Sequence, residues 1–280
     1  MQQVRADYRL CYYRGMRART VALLLAITAV AARPSDQLAN ARRLYNQGEY
    51  DQALVAAHEA ESDPASVSSA RLVIGRIRLE RYRRTADGSD LSDARTALRS
   101  VDPAALDPRE RTELQVGLAE ILYLDNRFGA AAEMLEPILG GTSALGPDAH
   151  ARALDWWATA LDRQAQMVTP ADRIPMYRRI TDLMTDELRL DPASPVPNYW
   201  MAAAARGAGD LDRAMAAASA AWVRASLTHD RGAGLRADLD RLVTQAIIPE
   251  RAAHATTRDK RQAIADMTAE WDSFKTAWNK

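Results

Sequence analysis

The sequence predicts an all-α chain of stacked antiparallel helical hairpins, and three observations predict it: apolar residues recur at helical offsets, the set of offsets returns along the chain, and small side chains hold the same places at each return. Counting from Tyr50, apolar residues stand at offsets 0, 3, 4, 7 and 10, namely Tyr50, Ala53, Leu54, Ala57 and Ala60. That spacing is one face of a helix and not the alternation of a strand. The offsets return at Phe128, Ala131, Ala132, Leu135 and Ile138, and again at Leu211, Ala214, Met215, Ala218 and Ala221. Leu91, Ala94, Leu98 and Val101 repeat them with Arg95 interrupting. A turn former stands two residues before each set, at Gly48, Ser89, Asn126 and Gly209.

Upstream, Ala41, Ala119 and Ala202 each lie twelve residues before Ala53, Ala131 and Ala214, and are followed three residues later by Leu44, Leu122 and Ala205. Each unit therefore reads helix, tight turn, helix. Two helices joined by so short a turn approach to about 8–10 Å only where the facing side chains are small. This pattern resembles the tetratricopeptide repeat (TPR), a helical hairpin with small residues at the helix crossing, an aromatic residue opening the second helix and a closing proline. The resemblance is carried by Ala41, Gly48, Tyr50, Ala53, Ala60 and Asp63-Pro64, by Asp102-Pro103, and by Asp191-Pro192, and it covers most of residues 36–225. It implies a right-handed superhelical solenoid. With Ile180 in the alanine's place in a degenerate fourth unit, between Tyr177 and Met184, the anchors Ala53, Ala94, Ala131, Ile180 and Ala214 lie 41, 37, 49 and 34 residues apart. The long intervals predict insertions at Arg83–Gly88 and around Gln166–Arg173.

In chain order, the first helix is expected over Leu38–Asn46 and its mate over Tyr50–Ala60, stopped before Asp63-Pro64. The second unit begins near Ser69, turns over Thr85–Ser89 and continues through Leu91–Val101. Pro103–Pro108 reads as a linker and Glu110–Leu139 as the third unit. Gly140-Gly141-Thr142-Ser143 and Gly146-Pro147 form the most marked loop, a flexible joint at most. Helices follow at Ala149–Ala165 and Pro175–Leu190, and Asn198–Arg224 is the last clear repeat. The tail, 228–280, is expected to hold capping helices: Leu235–Ile248, ended by Pro249, and Arg258–Trp278. The second carries an amphipathic seam of Ile264, Met267, Trp271, Phe274 and Trp278. Solenoids need such a cover over their open end.

The amino terminus has another character. Val21–Ala32 is an uncharged run behind Arg14, Arg17 and Arg19, with Ala29-Val30-Ala31 as a small-x-small site, the layout of a signal peptide over residues 1–32. Met16 offers an alternative start. Twelve residues are too few to span a bilayer, which takes about 20. Removal of the segment leaves 32 basic and 36 acidic residues and no cysteine, since Cys11 departs with it. A mildly acidic surface disfavours non-specific nucleic-acid binding. The expectation is a soluble periplasmic or secreted protein of repeats over 33–227, touching the membrane only through its leader.

Reactive chemistry is sparse. The four histidines lie far apart; His58 reads as a surface residue, His150 as a cap or surface group, and His254 as part of a polar connection. His229-Asp230 is the one pair that supports even a remote hydrolase reading. Gly232-Ala233-Gly234 lacks the strand and lysine of a phosphate loop. No catalytic residue, cofactor or metal site is predicted.

The TPR resemblance implies that the first helix of each hairpin lines a concave groove. Residues three and six before the turn former project into it: Tyr45 and Arg42, Tyr123 and Glu120, Arg206 and Ala203. Trp156 or Tyr199 is expected to be exposed there, and tyrosine suits peptide recognition. Some TPR proteins clamp a carboxyl-terminal peptide with lysines and asparagines; this chain has no lysine before Lys260, only Arg42, Asn46 and Arg206 at such places, and that specificity is not predicted. The function expected is a non-catalytic scaffold holding a protein or peptide. The alternative is a structural subunit of an envelope assembly, docked through its last helix.

Overall fold

Three hairpins close in the same way in the computed structural model, which describes residues 34–228, 232–256 and 259–279. α1 (Pro34–Gln47) turns into α2 (Tyr50–Ala60) through Gly48, at φ +79°. The Gly48 amide donates to the Tyr45 carbonyl and the Glu49 amide to the Leu44 carbonyl, both at 3.0 Å. This left-handed closure satisfies carbonyls that the end of α1 leaves free. Asn126 (φ +58°) makes the equivalent pair of bonds between α5 (Pro108–Leu124) and α6 (Phe128–Leu135), and Gly209 (φ +84°) between α10 (Pro195–Gly207) and α11 (Leu211–Arg224).

The second hairpin departs from the expected register. α3 (Val67–Thr85) ends at Ala86, whose φ is +56°, and α4 begins at Gly88 and runs to Arg99. The turn former is therefore Ala86 and not Ser89, which lies inside α4 and donates its amide to the capping Asp87 carboxylate at 2.9 Å. Leu91 and Leu98 consequently take the places of Ala53 and Ala60, one helical turn from the alignment that the sequence suggested. An alanine with positive φ is uncommon and costs about 1–2 kcal/mol, so its composition did not announce this turn.

Several helix starts are written in plain chemistry. Pro108, Pro147 and Pro170 open α5, α8 (Pro147–Ala165) and α9 (Pro170–Leu190), where the missing amide is not needed. Asp107 and Glu110 form a reciprocal cap, the Glu110 amide donating to Asp107 at 2.8 Å and the Asp107 amide to Glu110 at 3.2 Å. Thr169 caps α9, so Pro175 lies within that helix rather than at its start. The expected insertions are absorbed in the same way: α3 is 19 residues long and α9 is 21, against 14 for α1. Extra chain became extra helical turn.

The joint after the third hairpin is also more ordered than its glycines suggested. Leu139–Thr142 forms the short helix α7 and Ser143–Leu145 a 3-10 turn, with Leu139 and Thr142 buried. In the tail, Pro249 does not end a helix. α12 (Ala233–Leu242) passes through a π-helical turn, Val243–Ile247, into α13 (Ile248–His254), with Pro249 in the first turn of α13. The wider turn reroutes the ladder where proline has no amide to give. α14 (Lys260–Ala277) completes the array. The leader segment, His229 and Asp230 lie outside the described residues.

Each helix packs on its hairpin mate and on the next helix in the chain. The first helices α1, α3, α5, α8, α10 and α12 also touch one another in succession, far more closely than second helices such as α2 and α4 do. The row of first helices is thus the shorter, concave side of an all-α helical-repeat solenoid. Its seams are alanine: Ala41, Ala53, Ala57, Ala119, Ala131, Ala202 and Ala214 are fully buried. Where alanine is still too large, glycine serves, and Leu98 of α4 lies between Gly75 of α3 and Gly117 of α5. The middle of the array is filled by Leu154, Trp157 and Leu161 against Ile180 and Met184. At the end, Trp271 of α14 is buried against Trp222 with Ile264, Met267 and Phe274 half-buried beside it, so most of the seam covers the last repeat; Trp278 is exposed.

Candidate functional site

The concave row carries a ladder of charged and aromatic side chains that reaches from hairpin to hairpin. With Ala86 as the turn residue, the positions three and six before it are Arg83 and Glu80, and these are the hub of the first half. Arg83 donates to Glu120 of α5 (2.5 Å) and to Glu80 (2.6 Å), and its guanidinium lies 4.6 Å from the ring centre of Trp156 on α8. Burial works against the Arg83 cation, but the Glu120 and Glu80 carboxylates outweigh it and hold the guanidinium above its ordinary value. Burial pushes the Glu120 carboxyl up, and Arg83 pulls against that.

Around this hub, Arg76 lies 4.6 Å from the ring centre of Tyr45 and pairs with Glu113 of α5, while the Tyr45 hydroxyl donates to Glu80 at 3.3 Å. Burial raises the Tyr45 hydroxyl above the usual phenol range. Arg42 of α1 pairs with Glu110 of α5, passing over the second hairpin altogether. Arg152 of α8 approaches Glu80 at 3.9 Å.

The second half is less well compensated. The Asp155 carboxylate on α8 accepts from Trp200 Nε1 at 2.8 Å, and burial raises it above the carboxylate range, with Asp238 of α12 adding to the rise. Burial likewise raises Asp162, which accepts the Tyr177 hydroxyl at 2.8 Å. Arg206 makes a two-point contact with Glu250 of α13, at 2.5–3.1 Å.

The eight residues that the sequence put in the groove fall into distinct roles. Asn46 is exposed, and the Arg42 side chain is 46% exposed despite its ion pair. Tyr45, Tyr123, Trp156, Tyr199 and Arg206 are half-buried. Glu120 is the exception: it is 6% exposed, and its carboxylate is engaged by Arg83 rather than offered to a partner. The structure brings Tyr45, Glu120 and Trp156 together around the α3 cations, and sets Tyr123 beside Asp155, Asp162 and Arg163. A turn at Ser89, three residues past the actual turn at Ala86, does not single out Arg76, Glu80 and Arg83. Their spacing along α3, four and then three residues, is the helical signal that would have found them.

His150 is a further correction. It is half-buried, with Nδ1 2.7 Å from Thr142 Oγ1 and Nε2 3.0 Å from Glu187 Oε2. His58 is exposed as expected, and His254, exposed as well, closes the last turn of α13 rather than lying in a connection. Gly232 is buried against Ala225 at the start of α12, and a Cβ there would strike the Ala225 backbone, so its role is packing. Among the described residues no group of three histidine, cysteine or acidic side chains could hold a metal ion, and no helix is long and apolar enough to cross a membrane.

No protein-family model and no curated protein matches the chain. Among solved structures it is similar to the nearly identical TPR-like repeats of a Podospora anserina chain assigned as a kinesin light chain, with a TM-score of 0.50 and 16% identity, over 70% of this chain and 98% of that one. At such identity the likeness speaks for the fold alone, and the fold is TPR-like.

Proposed function

We propose that the chain is an exported scaffold that holds a protein or extended peptide along its concave row, without a reaction of its own. TPR-like arrays generally serve protein–protein interaction, and one observation supports this reading here: the first helices lie side by side and carry the exposed Asn46 and the partly exposed Tyr123, Trp156 and Tyr199. Tyrosine and tryptophan offer wide contact area at little entropic cost. The test places a photo-reactive side chain at Asn46 or Arg152 on the inner helices, and at Glu59 on α2 as the outer control. Capture from the inner sites alone supports the groove, and capture only from Glu59 sinks it. Tyr123→Ala with Tyr199→Ala should weaken that capture while the far-UV circular dichroism holds.

Export is motivated by the apolar run behind Arg14, Arg17 and Arg19. It predicts a mature protein beginning near Arg33; a cell-derived protein that still carries Val21–Ala32 would count against it. The second reading, docking through α14, is supported by Trp278, which is 50% exposed at the end of an otherwise covered seam. Deleting residues 258–280 separates the two. Loss of a partner from a still-folded array favours docking, whereas aggregation favours a cap.

A further inference from the structure

Thr142, in the joint between the third and fourth hairpins, has no exposed surface. Its hydroxyl oxygen lies 2.6 Å from the Leu139 carbonyl oxygen and 2.7 Å from His150 Nδ1, while His150 Nε2 lies 3.0 Å from Glu187 Oε2. These contacts join α7, α8 and α9. Each needs one hydrogen between its two heavy atoms. The carbonyl and the ionised carboxylate have none to give, and the hydroxyl has one, which the carbonyl contact takes. The imidazole must then donate from both nitrogens, and only its protonated form does so. A neutral ring of either tautomer fills two of the three contacts and leaves two acceptors facing each other.

We propose that Thr142, His150 and Glu187 form a proton-operated clasp on this joint. With the proton bound, α7 is tied through His150 to α9; without it one of the three bonds is missing and the joint loosens. α7 and the 3-10 turn carry no ionisable side chain. On α8, Asp148 is exposed and Arg152 turns toward Glu80. Arg111 of α5 donates to the Leu106 carbonyl, Glu133 of α6 pairs with Arg179, and Arg206 of α10 pairs with Glu250. Glu187 is therefore the charged group that meets the ring. Raising the pH removes that proton and with it one bond of the clasp, and lowering the pH restores both.

The test is hydrogen exchange of the amides of residues 139–150, corrected for intrinsic rates, at about pH 5.5 and about pH 8. In the wild type, protection should fall about tenfold between the two. In Glu187→Gln the amide side chain can donate to a neutral ring or accept from a protonated one, so protection should hold at both. His150→Gln should be weakly protected throughout. Independently, the ring nitrogens of wild-type His150 should both be protonated by NMR at about pH 5.5. An identical pH response in the wild type and Glu187→Gln, or a neutral ring at the acid pH, overturns the clasp.

Discussion

The side chain of Leu98 fills the space in which Gly75 would carry a Cβ. The contact sets how closely α4 lies on α3, and Leu98 makes a second such approach to Gly117 of α5. Gly75→Ala gains helix propensity, about 1 kcal/mol, but overpacks the seam by about 1–3 kcal/mol. Denaturant unfolding should show a net loss in the single variant. In Gly75→Ala with Leu98→Ala, the two changes should offset each other by more than additivity allows.

Arg83 is a second point of leverage. Arg83→Ala leaves Glu120, 6% exposed, without its cation, and breaking a buried pair in that way costs about 3–5 kcal/mol. Adding Glu120→Gln should restore a large part of the loss. A double variant no more stable than Arg83→Ala would place the cost elsewhere, in the stacking on Trp156.

The Asp155 prediction concerns acid. Its carboxyl is raised by burial and by Asp238, so the folded state binds the proton more readily than the unfolded chain does. The penalty is present at pH values above the folded value and is relieved as pH falls through it toward the ordinary carboxylate range. Asp155→Asn, which still offers Trp200 an acceptor, should therefore stabilise the protein at neutral pH. That advantage should shrink in acid, as read from unfolding midpoints at about pH 7 and about pH 4.5.

Asp240 runs the other way. Burial would raise it, but hydrogen bonds from Lys275 (2.6 Å) and Trp271 Nε1 (2.9 Å) outweigh burial and hold it below the ordinary range. Its grip on α14 is present above the unfolded carboxylate value and lost as pH falls through the folded one. Trp271→Ala removes that donor and a side chain that is 3% exposed, and should cost about 3–5 kcal/mol. A dye that binds exposed apolar surface should light up on the variant; an unchanged signal would mean that the last repeat does not need its cover.

Much of this architecture was legible because one physical rule wrote it several times. Ala53, Ala131 and Ala214 recur at helical offsets behind Gly48, Asn126 and Gly209, and all three alanines are buried. The rule failed where the backbone did something its residues do not advertise. Ala86 takes a left-handed conformation without being glycine or asparagine, and the misplaced turn hid Glu80 and Arg83. Pro175 and Pro249 read as boundaries, yet Pro249 sits in the first turn of α13 beside a π-helical turn, and α9 runs on through Pro175 from a start fixed by Thr169 and Pro170. Of the surface residues, the tyrosines were visible from their recurrence, but the burial of Glu120 depends on a cation 37 positions away in sequence. Composition alone carries no trace of such a pairing.

The link from Arg42 to Glu110 bears on how the array comes apart. In an ideal solenoid each unit speaks only to its immediate neighbours, and the ends fray one unit at a time. Here α1 is tied to α5 across an intervening hairpin, and Leu98 wedges α3 and α5 together. The amino-terminal three hairpins should therefore melt as one cooperative block, leaving any stepwise peeling to begin from the carboxyl-terminal side.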